Sequence, residues 1–156
     1  MVKVNWDEGA ASGGKPLFRN GNYLVEVAQV VQKVSKKGDD MFEITFTSVD
    51  FDFRTICKDY IMLGGNGLPM GLRRLKALGF KKGDDDINAA TVVGRRCYAA
   101  ITTEVYKDQK QNKVDGSAKG SNAGYWSEKS PPDKVVSNGA APTDGGSTQD
   151  DGTVPF

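Results

Sequence analysis

Between Met41 and Val49 the chain reads MFEITFTSV, with Phe42, Ile44 and Phe46 on one side of a period of two and Glu43, Thr45 and Thr47 on the other. Such alternation suits an extended strand with one buried face, because successive side chains of a strand point in opposite directions. Turn chemistry, Lys36-Lys37-Gly38-Asp39-Asp40, stands before it, and before that runs NYLVEVAQVVQKVS, rich in β-branched residues. The two stretches predict a hairpin. In the first, Tyr23, Val25 and Val27 alternate until Val30 and Val34 shift the phase, which predicts one long strand bent by a bulge.

Arg54 to Leu63 reads as a third strand whose one face carries Arg54, Ile56, Lys58, Tyr60 and Met62. The period then changes. In GGNGLPMGLRRLKALGF, Leu68, Leu72, Leu75 and Leu78 fall on one helical face, Pro69 suits the first turn and Gly79 the stop. A fourth strand follows in RRCYAAITTEVY, with Cys97, Ala99, Ile101 and Val105 on its apolar face and Arg96, Tyr98, Thr102 and Tyr106 on the other. Lys107 to Gly124 is polar and basic and reads as a long mobile loop, with a brief strand at Tyr125-Trp126 before Pro131-Pro132.

Three strands, a short helix, a strand, a long loop and a strand predict a mainly β fold, the five-stranded OB-type barrel with its helix between strands three and four. The domain is expected over residues 17–132, between a flexible arm at 1–16 that includes Trp6 and a disordered acidic tail at 133–156. Composition supports tails: only 38% of residues are hydrophobic and 19 are glycine. Three acids and no base lie between Asn138 and Phe156, so the net +1 of the chain leaves +4 for residues 1–137. A mildly basic body tied to an acidic end suits a polyanion-binding domain.

Cys57 and Cys97 sit in apolar runs without metal-ligand spacing and are expected as buried thiols, in keeping with a cytoplasmic protein. The opening residues lack the apolar stretch of a signal peptide, and no run approaches the length of a membrane span. The sequence contains no histidine, which removes the commonest general base and zinc ligand. Gly64 to Gly71 fits neither nucleotide-binding glycine pattern and reads as a flexible linker. Asp84-Asp85-Asp86 reads as a solvated turn rather than a metal site, and Arg73, Arg74 and Lys76 as the solvent face of the helix. No catalytic residue, metal or cofactor is expected.

Aromatic residues interleaved with cations carry more meaning, because unstacked bases need flat platforms and the phosphates between them need positive charge. The candidates are Arg54, Lys58 and Tyr60 on strand three, Arg96, Tyr98 and Tyr106 on strand four, Lys107, Lys110, Lys113 and Lys119 in the loop, and Trp126 beyond it. Phe42 and Phe46 are expected in the core, with Phe53 or Tyr23 beside them. The chain closes with Gln149-Asp150-Asp151-Gly152-Thr153-Val154-Pro155-Phe156, two acids before an aliphatic, a rigid proline and an aromatic. Phe156 can enter an apolar pocket while Asp150, Asp151 and the terminal carboxylate meet cations, with Val154 and Pro155 shaping the approach.

That ending, DDGTVPF, resembles the C-terminal tip of bacterial single-stranded DNA-binding proteins, which docks on replication, recombination and repair enzymes. Residues 2–127 resemble a phage and prophage family of OB-fold single-strand binders, through VNWDE, GNYLVEV, KKGDDMFEITF, VVGRRCYAAITTEVYKD and the Asn-Gly-rich loop before Tyr125-Trp126. The resemblance implies a non-enzymatic protein that coats single-stranded DNA and recruits partner enzymes through its tip; a homo-oligomer is left open. The alternative expectation is a protein-binding adaptor that docks on the same enzymes without holding DNA.

Overall fold

A computed structural model describes residues 17–137, and these form a mainly β, antiparallel sheet of six strands with one principal helix. The 14-residue first strand, β1 (Gly21–Val34), serves two neighbours. From Gly21 to Glu26 it pairs with β4 (Arg96–Tyr106), and from Val25 to Val34 with β2 (Asp40–Ser48). A strand shared in this way must bend, and the register slips between Val27 and Gln29, where the sequence changes phase. Phe42, Ile44 and Phe46 of β2 are buried as their alternation predicts, and Tyr23 joins the core, meeting Phe18 and Phe51 edge-on with ring centroids 5.4 and 5.9 Å away.

The third strand, β3 (Thr55–Met62), departs from its expected phase. A second register slip, between Phe46/Cys57 and Thr47/Thr55, takes Ile56 out of the alternation. Cys57 and Ile61 are buried beyond it, while Lys58 and Tyr60 are exposed. Arg54 lies outside the strand, its guanidinium 5.2 Å from the Phe18 ring.

After a 3-10 turn at Gly65–Gly67 comes α1 (Leu68–Ala77), with Pro69 in its first turn and Gly79, at φ +103°, just past its end. The leucine stripe is buried only in part: Leu75 and, just past the helix, Leu78 enter the core, but Leu72 is 53% exposed, and Gly71, Arg74 and Ala77 face inward beside Leu75. Gly71 makes this possible, because a Cβ there would overlap the Met62 carbonyl oxygen. Gly64 to Gly71 is thus a closely packed approach of helix to strand, not a flexible linker. A short helix, α2 (Ala89–Val92), is capped by Asn88, whose side chain accepts the N–H groups of Ala90 and Thr91.

Residues 107–124 also differ from expectation, because β5 (Gln109–Val114) pairs with β4 through a two-residue turn. Lys107 and Asp108 in that turn hold φ of +51° and +65°, the left-handed pair that matches strand twist in a tight hairpin. QKQNKV shows no apolar alternation because only Asn112 and Val114 are buried, and Asn112 earns its place by exchanging hydrogen bonds with the Phe18 backbone. The brief strand β6 (Tyr125–Ser127) forms as expected, on β4 at Cys97 to Ala99.

The strand order is β3-β2-β1-β4-β5, with β6 also on β4. The end strands β3 and β5 approach each other without a ladder, so the sheet curves but does not close into a barrel. The chain stays on the domain past Pro132, since Val136 donates its N–H to Asn22 O at 2.7 Å and packs on the core. Cys57 and Cys97 are free and buried, and burial pushes both thiols well up, away from the reactive thiolate. Among the described residues no helix is long and apolar enough to cross a membrane.

Candidate nucleic-acid interface

Ladder parity assigns each predicted residue to a face. Core residues Val25, Phe46, Cys57 and Cys97 share one side of the sheet, so the side chains between them point to the other. This outer face carries Lys58 and Tyr60 on β3, Arg96, Tyr98 and Tyr106 on β4, Lys113 on β5 and Trp126 on β6. Leu24, Tyr98 and Trp126 stand opposite one another across β1, β4 and β6, making one row of three half-buried side chains. In the adjoining row Glu26 faces Arg96 and accepts its Nε–H at 2.9 Å. Arg96 in turn stands 5.8 Å from the ring of Phe53, in the turn between β2 and β3. Phe53 is 48% exposed, so of Phe53 and Tyr23 it is Tyr23 that joins the core.

A second cluster lies across β1, β2 and β3. Tyr60, opposite Glu43, donates its hydroxyl to Glu43 Oε2 at 3.0 Å, and Lys33 Nζ reaches Oε1 of the same carboxylate at 3.0 Å. The Lys33 and Tyr60 hydrogen bonds hold Glu43 below its usual pKa, and the carboxylate raises that of Tyr60. Lys58, opposite Thr45, is exposed and makes no ion pair among the described residues.

The β4–β5 hairpin forms the third cluster. Tyr106 is exposed with Lys107 Nζ 5.3 Å from its ring, and Lys113 pairs with Glu104 at 3.5 Å. Lys110 points the other way, in register with Val105 and two residues from buried Asn112. Val105, expected inside, is 67% exposed because the hairpin runs beyond the core. No protein-family model matches this chain, and no curated protein does.

Arg74, expected on the solvent face, is buried beneath this surface. It meets Asp59 Oδ2 at 3.0 Å, donates to Tyr60 O and Ala123 O, and stacks 5.0 Å from the Tyr125 ring. Tyr125 donates its hydroxyl to Asp59 at 2.7 Å. Burial raises the Asp59 pKa against the pull of Arg74. This network fastens α1 to β3 and β6 and so fixes the strands that present Tyr60 and Trp126. Asp84 and Asp86 bind the Lys81 N–H and the Asn88 amide, and no metal-holding group of acids, cysteines or histidines occurs among the described residues. Asp150, Asp151, Val154, Pro155 and Phe156, like Trp6, lie outside the described residues.

Proposed function

We propose that this protein binds single-stranded DNA on the outer face of its curved sheet, with little sequence preference. The observation that carries this reading is the Tyr98–Trp126 row beside Arg96: aromatic faces and a cation at strand spacing on one surface. The strand order and the helix between β3 and β4 support the finer assignment to an OB-type fold, here with β3 and β5 approaching but not laddered, in which strands two and three and neighbouring loops hold the ligand. In this reading the domain coats and protects strands during phage replication or recombination. The segment from Asp150 to Phe156 recruits the enzymes that act next.

One observation favours the adaptor reading instead. Arg96, Lys113 and Lys33 are each matched by a carboxylate, which leaves a face of modest positive potential. A fluorescence titration with labelled oligo-dT, beside a duplex of equal length, separates the two. Single-strand binding that far exceeds duplex binding supports the proposal; no affinity for oligo-dT even at low salt supports the adaptor.

A further inference from the structure

Val49-Asp50-Phe51-Asp52-Phe53 turns the chain from β2 to β3, and its two aromatics have opposite fates. Phe51 is buried and packs edge-on against Phe18 and Tyr23. Hydrogen bonds hold the turn to the same anchor: the Phe53 N–H donates to Ser48 O at 2.7 Å, the Ser48 N–H to Arg54 O at 2.8 Å, and the Ser48 hydroxyl to Phe51 O at 3.2 Å. So fixed, Asp52 and Phe53 both occupy the left-handed region, at φ +58° and +55°. For a phenylalanine this backbone is unfavourable, and glycine would adopt it freely. A ring that is both exposed and held on strained backbone gives the fold little; strain of this kind collects where a ligand uses the side chain.

We infer that Phe53 is a base-stacking platform, with the neighbouring Arg96 guanidinium placed for the phosphate beside the stacked base. The inference rests on the single-strand reading above and adds a residue to it. Glu26, opposite Arg96 on β1 and on the same face, holds its Nε at 2.9 Å, and Tyr98, two residues along β4, continues that face toward Trp126. A strand that crosses from the β2–β3 turn to β6 meets Phe53, Arg96, Tyr98 and Trp126 in that order.

The test uses full-length protein and its Phe53→Gly, Phe53→Leu and Phe53→Trp variants, titrated with oligo-dT and with an abasic strand of the same length, beside thermal unfolding of each. Phe53→Gly should unfold at an equal or higher temperature, because it relieves the backbone, yet bind oligo-dT about 5- to 150-fold more weakly, the factor that about 1–3 kcal/mol of stacking represents. Phe53→Leu should lose much of the affinity and Phe53→Trp should keep it. On the abasic strand all four proteins should bind alike. Parent-like oligo-dT binding by Phe53→Gly, a clear fall in its unfolding temperature, or an equal deficit on the abasic strand would overturn the inference. If the parent itself fails to bind oligo-dT, it is the single-strand reading that falls.

Discussion

Asp59 and Arg74 meet at 3.0 Å where neither is well solvated, and each is held by further bonds, from Tyr125 to the carboxylate and from the guanidinium to two carbonyls. Removing one partner strands the other charge, so Asp59→Asn should cost about 3–5 kcal/mol, whereas replacing both partners with apolar residues should recover much of the loss. Denaturant midpoints of the two single variants and the double variant measure this coupling. Glu43 behaves oppositely in pH. Its folded pKa lies below the unfolded one, so its contribution is present above the unfolded value, about 4.3, and is lost as pH falls through the folded value. The stability gap between parent and Glu43→Gln should therefore shrink as the pH is taken from 7 to 3. A gap that stays constant or widens on acidification would show that the Lys33 and Tyr60 bonds do not stabilise the carboxylate.

At the scale of elements, a face is the working unit, and ladder register separates lysines that look equivalent in sequence. Lys58 stands exposed on the outer face, while Lys110 points from the opposite side of the hairpin. Each neutralised phosphate contributes about −0.7 to the slope of log affinity against log salt, so Lys58→Ala should make that slope shallower by about 0.7 and Lys110→Ala should leave it unchanged. Salt titrations of both variants check the assignment. Burial also explains what could be read beforehand. The alternation of β2 and the Pro69 and Gly79 boundaries of α1 were legible because one-sided burial and backbone geometry write themselves into local sequence. β5 was not, because an edge strand that buries only Asn112 and Val114 leaves no apolar period. Nor could sequence tell which of Arg73, Arg74 and Lys76 turns inward, since that depends on Asp59, a strand away, and on how closely Gly71 lets the helix approach. In the candidate site the strand aromatics were legible, but Phe53 was not: VDFDF does not say which phenylalanine the turn will bury.

For the whole molecule, charge is divided between a body of +4 over residues 1–137 and three carboxylates over 138–156. Removing residues 138–156 should leave single-strand affinity equal or somewhat higher at low salt, with the difference fading near 0.1 M, where exposed charges are screened over about 10 Å. Capture of a replication or repair enzyme should disappear with Phe156 alone. Binding that collapses without these residues would place the DNA site elsewhere. The central claim, that the outer face of the sheet is where the strand lies, is tested most directly by amide and indole chemical-shift mapping of the protein titrated with oligo-dT. The largest changes should cluster at Phe53, Arg96, Tyr98 and the Trp126 indole, with Tyr60 and Lys58 next and Leu72 and Ile87 silent. Changes centred on Leu72, Phe80 and Ile87, or no changes at saturating oligo-dT, would contradict it.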